Sequence, residues 1–281
     1  GFTYRDYSVT WDEGDCIRGA RDYISFYWGG HKNDSINATY STHNYIYSVI
    51  PVALAENDFN CPAETFHLIN MLFALFLYFL AYLLFFKKFK NGYWALMAPL
   101  FLLLTPTLTG HIPANYKDAP FAVVYCSVLI IFDLLNNQLA FRRILILGAF
   151  IGIASSFRLL GLTLIPILLL YDFWNWKITA PRINGWRWLG YETACIVGVI
   201  VISQFVMALA WPYLGYDYFG RIGIVLNKAT DIGWKWGSFY FGKVTWNLPW
   251  HYLPVWILIS TPLFILFFIG VKMLIAHWFE I

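Results

Sequence analysis

Asp12 and Glu13 stand side by side in the run Trp11-Asp12-Glu13-Gly14, and a second charged cluster follows in Asn115-Tyr116-Lys117-Asp118-Ala119-Pro120. Adjacent acids on a regular element point in different directions, so one can reach into a cleft while the other orients it or caps a helix. An aspartate placed in this way suits the removal of a proton from an attacking hydroxyl. The bland alternative is that Asp12 or Asp15 caps the helical pattern running from Arg18 to Trp28. Lys117 and Asp118 precede Pro120, a pattern that starts a helix with Asp118 as N-cap and the proline in the first turn. A cation beside the free amides of a helix start also suits a phosphate. Arg158, in Ser155-Ser156-Phe157-Arg158, adds a guanidinium whose planar fork matches phosphate geometry. Snorkelling to an interface would explain it equally well. His111 is a further candidate ligand or hydrogen-bond donor.

The chain around these groups is 59% hydrophobic, 21% aromatic and only 12% charged. A soluble domain is about a quarter charged, so this composition predicts a surface that faces lipid or other helices. The net charge of +3 is too small to indicate a nucleic-acid partner. Cys16, Cys61, Cys126 and Cys195 show no C-x-x-C spacing, which excludes the usual zinc and redox motifs. Cys16 and Cys61 share the polar N-terminal stretch and are a candidate bridge in an oxidising compartment. There is no H-E-x-x-H, no G-x-S-x-G and no Walker loop.

Seven apolar runs must position the charged clusters: 66–86, 93–110, 119–136, 144–157, 159–173, 190–212 and 252–270. The expected fold is therefore all-α, a polytopic transmembrane bundle of about seven helices, because open strands cannot satisfy their backbone in lipid. The whole chain, 1–281, reads as one domain, truncated at both ends. Lys87-Lys88, Arg142-Arg143 and the basic residues Lys177, Arg182 and Arg187 fall on one side if every run crosses, and the positive-inside rule makes that side cytoplasmic. Residues 1–62 then form a first extracytoplasmic loop and 213–251 a long one, with both charged clusters and Arg158 on the outer face. Residues 144–157 would span only about 21 Å as helix, which tucks Arg158 below the outer surface. Pro166 and Pro262 are expected as kinks inside their helices.

The ordered pieces resemble a membrane glycosyltransferase of the GT-C class, family 39, protein O-mannosyltransferase-like, and more narrowly its phospholipid-carrier-dependent members. The pieces are Thr10-Trp11-Asp12-Glu13-Gly14, His67-Leu68-Ile69-Asn70, Gly110-His111 with Asn115 to Phe121, Ser156 to Gly161, Trp211 to Leu214, and Leu248 to Trp256 with Thr261-Pro262. The resemblance implies inverting transfer from a polyprenyl- or dolichyl-phosphate sugar to a lipid, glycan or protein acceptor. It also implies an active site facing outward from the bacterial plasma membrane or into the lumen of the endoplasmic reticulum. The acidic pair maps to Asp12 as acceptor-activating base and Glu13 as its support. Lys117, Asp118 and Arg158 are the expected donor-phosphate residues on physical grounds, with His111 and Tyr252 accessory. No cofactor is required by this reading, and dependence on a divalent metal is left open. A polytopic transporter or a non-catalytic membrane subunit is the alternative.

Overall fold

A computed structural model describes residues 13–28, 44–58, 62–135, 140–179, 185–230 and 237–279. Asp12, the pieces around Thr10 and Trp11, Cys61 and the sequons at Asn33 and Asn37 lie outside the described residues.

The described residues begin with α1 (Glu13–Trp28) and α2 (Ile46–Asp58), which pack on each other. The long helix α3 (Pro62–Phe89) ends on Lys87 and Lys88, cations that suit the negative end of a helix dipole. Lys90 then takes a positive φ of 54° and Asn91 caps α4 (Gly92–Leu103), its side-chain oxygen accepting from the amides of Tyr93 and Trp94 at 2.9 and 3.3 Å. This tight turn folds α4 back onto α3. Beyond Thr105 come α5 (Pro106–Ala114) and α6 (Asp118–Leu134). They are followed by α7 (Ala140–Phe157), a 3-10 turn over Leu159–Thr163, α8 (Leu164–Thr179) and α9 (Gly185–Ala210). The stretch after α9 carries α10 (Pro212–Tyr216), the amphipathic α11 (Tyr218–Thr230) and a hairpin of β1 (Ser238–Tyr240) with β2 (Lys243–Thr245). The strands pair antiparallel with Phe239 opposite Val244, and Gly242 at φ 79° makes the turn. Two further apolar helices, α12 (Tyr252–Ser260) and α13 (Leu263–Phe279), complete the described chain.

Three buried clusters hold these elements, a small one of Ala74, Leu77, Ile112 and Val123 and two larger ones. One gathers Cys16, Ala20 and Tyr23 from α1, Val52 from α2, Phe66 from α3, Tyr116, Met207 from α9 and Leu214 from α10. The other joins Val128, Ile151, Leu164 and Leu80 from α6, α7, α8 and α3. Each fully buried side chain of this size contributes about 1.5–3 kcal/mol of transfer free energy. Helix α7 lies hard against α9, where a β-carbon on Gly152 would stand 2.6 Å from the Ser203 carbonyl oxygen. Only a residue without a side chain permits that approach.

All seven apolar runs are helical, but the seven-span bundle expected from them is corrected. Among the described residues there are thirteen α-helices and a two-stranded sheet. Three straight helices, Glu64–Phe89, Ala140–Phe157 and Leu189–Ala210, have the length and apolarity to cross a membrane. The number reaches five only if two bent pairs, α4 with α5 at 65° and α12 with α13 at 108°, each count as one crossing. Helix α8 has 16 residues, about 24 Å, against a hydrocarbon core of about 30 Å. Prolines explain the breaks. Pro106 takes the first position of α5, and Pro262 separates α12 from α13 rather than kinking one helix. Pro166 sits in the first turn of α8, where a missing N–H costs nothing.

The localisation falls with that number. Assigning loops to alternate sides of a bilayer required every run to cross, and among the described residues at most five spans are long and apolar enough to do so. Charge is also paired within the helical packing, as in the contact of Arg143 with Asp172 at 2.8 Å, whose side chains are 14% and 17% exposed. The integral multi-pass placement, with an extracytoplasmic or luminal site, is not upheld.

Candidate functional site

Glu13 begins α1 and is fully buried. Its Oε1 accepts a hydrogen bond from the Tyr116 hydroxyl. His67 Nε2, from the first turns of α3, approaches the same oxygen at 3.4 Å. The other oxygen, Oε2, has no hydrogen-bond partner among the described residues. The Tyr116 ring stacks on His67 with centroids 5.9 Å apart and meets the edge of Phe66 at 4.8 Å. A carboxylate without full compensation costs several kcal/mol when buried, so three elements converge here on a group that packing alone does not favour.

One helical turn along α1, the buried Cys16 thiol lies 3.6 Å from the Tyr47 hydroxyl on α2. Burial above all pushes Tyr47 well above its ordinary value of 10.0, Cys16 adds to this, and the Arg158 charge works against it. Tyr47 is therefore a neutral phenol at any physiological pH. Its ring meets Phe157 at 5.6 Å, which links α2 to the C-terminal end of α7. The buried Asn44 closes that end, donating to the carbonyls of Ser156 at 2.8 Å and Ala210 at 3.0 Å. Ser155 and Ser156 turn their hydroxyls back to carbonyls of their own helix, both at 2.7 Å.

Arg158 follows α7 in extended geometry, φ −148° and ψ 132°. It donates to Asp118 Oδ1 through Nε at 3.1 Å and Nη2 at 2.7 Å. Both side chains are part-exposed, at 36% and 58%. The 3-10 turn beyond Arg158 fixes its direction, since a β-carbon on Gly161 would stand 2.5 Å from the Ser155 amide nitrogen.

The start of α6 departs from the sequence expectation. Lys117 occupies the N-cap position and makes no side-chain cap, while Asp118 is already in the helix. Asn115 performs the capping, its Oδ1 accepting from the amides of Lys117 at 3.3 Å and Asp118 at 2.8 Å. Asp118 is thereby released to hold Arg158. Likewise α1 begins at Glu13, so Asp15 lies inside its first turn and pairs with Arg18.

Of the residues singled out from sequence, Glu13 takes a hydrogen bond from Tyr116 and Asp118 holds Arg158, two contacts that share the turn from Asn115 to Asp118. Lys117 lies on the same loop, between Tyr116 and Asp118. His111 is exposed in the last turn of α5, and Tyr252 packs its ring on Tyr240 in the hairpin at 5.1 Å. Neither takes part in these contacts. Sequence reasoning missed Tyr116, Tyr47 and Asn44 as site-forming residues, although Tyr116 sits inside a motif it had marked. Among the described residues no group of three histidine, cysteine or acidic side chains is placed to hold a metal ion.

No known protein family, no curated protein and no solved structure matches this chain. The resemblance to family 39 of the GT-C glycosyltransferases is not upheld. Sugar transfer from a lipid-phosphate carrier by a membrane-embedded bundle, which rested on that resemblance and on seven crossings, is withdrawn with it.

The Asp118–Arg158 pair carries its own expectation. Asp118→Asn removes the charge that holds the guanidinium, and Arg158→Lys replaces a forked contact by a point charge. Because the pair is part-exposed, each should cost less than about 1 kcal/mol of stability, read from the denaturant midpoint. A loss of several kcal/mol would show that the pair supports the fold rather than a ligand.

Proposed function

We propose that the chain is an acid–base group-transfer enzyme whose reaction class is glycosyl transfer from a phosphate-activated sugar to a hydroxyl. The observation that carries this reading is the buried Glu13 carboxylate, held by Tyr116 and approached by His67 at the foot of the loop whose Asp118 grips Arg158. Asp12, the residue before Glu13, serves as the base. It takes the proton from the acceptor hydroxyl while that oxygen attacks the anomeric carbon from the face opposite the leaving group. The bond from that carbon to the phosphate oxygen breaks, and the phosphate leaves with the electron pair. Glu13 is sealed from solvent and acts as a positioning residue, fixing the start of α1. Arg158, whose Nε and Nη2 are turned to Asp118, presents the rest of its fork to the departing phosphate, the place where developing charge is best stabilised. Lys117 adds a second cation.

The test offers the full chain a labelled sugar as a sugar 1-phosphate or as a nucleotide diphosphate, each alone with a panel of hydroxyl acceptors. Transfer with inversion from either donor supports the reading, and the arms identify the activating group. Absence of transfer from both overturns it.

A further inference from the structure

Away from the Glu13 centre, the hairpin of α3 and α4 faces α13 across an open groove of about 520 Å³. Its walls are largely aromatic, with Phe85 and Phe89 from α3, Trp94 and Phe101 from α4, and Phe268 from α13. Helical spacing in the sequence builds the α13 wall: Phe264, Phe268 and Lys272 stand at i, i+4 and i+8 and so share one face. Phe101 meets Phe264 at 5.4 Å and Phe268 at 6.3 Å, which joins α4 to α13 at one end of that stripe. Lys272 lines the groove at the other end. Phe89 is 57% exposed, Trp94 62% and Phe268 56%, so these walls face water at a cost of about 25 cal/mol per Å² of apolar surface.

Shape and charge together identify the occupant. A concave space of this size is that of a small-molecule site rather than of a flat docking face. Its walls carry no carboxylate, and no acid follows Glu64 on α3 or occurs on α4 or α13. The acid nearest to Lys272 in sequence is Glu280, which comes after the end of α13. Cations gather at the Lys272 end instead, since Phe89, which also lines the groove, lies between Lys88 and Lys90 in the chain. Lys87 is engaged with Asp133 at 3.7 Å. Aromatic walls alone would favour a quaternary ammonium ion, but these lysines repel it and select a negative head. We propose that the groove binds a single-chain anionic amphiphile, an alkyl carboxylate, with its head beside Lys272 and its chain between the aromatic walls toward Phe101. The rise from Phe264 to Lys272 is about 12 Å, a length that a medium-length alkyl chain spans.

Calorimetric titration of the full chain with octanoate, octanol and octylammonium, each below the concentration at which it self-associates, tests this. Octanoate should bind ~5-fold more tightly than octanol, the upper worth of an ion pair open to water, and octylammonium should bind most weakly. Lys272→Gln should remove the preference for octanoate over octanol, and Lys272→Arg should keep it. Lys272 is exposed, so both variants keep the fold. Ile269→Trp, which fills the groove from the α13 wall, should weaken octanoate and octanol alike. Octanol binding as tightly as octanoate would mark the groove as an apolar face for a bilayer or a second protein, and would overturn the proposal. An unchanged preference in Lys272→Gln would overturn it as well. None of these measurements involves the Glu13 centre, so their failure leaves the proposed reaction standing.

Discussion

Glu13→Ala should lower the stability of the folded chain by ~2–4 kcal/mol. The side chain is fully buried, so its removal leaves a cavity and strips the Tyr116 hydroxyl of its acceptor. His67 loses a neighbouring charge in the same stroke. Glu13→Gln keeps the volume and an oxygen that can accept from Tyr116, so it should cost clearly less. The difference separates the hydrogen-bonded framework from the charge itself. Denaturant midpoints for the two variants and the parent, measured side by side, provide the check. An alanine variant within ~0.5 kcal/mol of the parent, the range of ordinary surface substitutions, would mean that the three-element junction is not a structural keystone.

The largest effect on activity is expected at Asp12. Asp12→Asn should reduce turnover by at least ~100-fold, the usual worth of a general base, with the denaturant midpoint unchanged. Glu13→Gln should be milder, and the pH profile distinguishes the two roles. A base that must be ionised gives a rising limb at low pH; Asp12→Asn should erase that limb, while Glu13→Gln should leave its position where it was. Near-normal turnover in Asp12→Asn moves the base elsewhere. Loss of the same limb in Glu13→Gln would show that the buried carboxylate, not its neighbour, is the titrating group.

Helix content was legible from sequence, because charge-free apolar runs have few other ways to satisfy their backbone. The number of elements was not. The run 93–110 contains Thr105-Pro106, and the run 252–270 contains Thr261-Pro262; both pairs end one helix and begin another. Hydropathy averages over such breaks, whereas a proline ring and a missing amide act at a single residue. The topology built on seven crossings inherited that error. Within the site, the charged residues were found because charge is conspicuous in a chain with so little of it. The polar groups that organise them were hidden by ambiguity of type. Tyr116 reads as one more interfacial aromatic, yet its hydroxyl supplies a hydrogen bond to Glu13. Asp118 reads as an N-cap until Asn115 is seen to cap the helix in its place.

The Glu13–Tyr116 contact spans 103 positions of chain and the Asn44–Ser156 contact 112, whereas α3 and α4 are joined by a turn of a few residues. Closing so large a loop is inexpensive at equilibrium, about 0.6 kcal/mol for each doubling of length, but contacts of long separation are the slow ones to form. Glu13 leaves the ribosome 103 residues ahead of Tyr116 and waits for a partner that has not yet been synthesised. Hairpins such as α3–α4 can close locally in the meantime. The candidate site is thus completed late in the order of folding, and a nascent chain halted before Tyr116 would carry Glu13 with no hydroxyl to hold it.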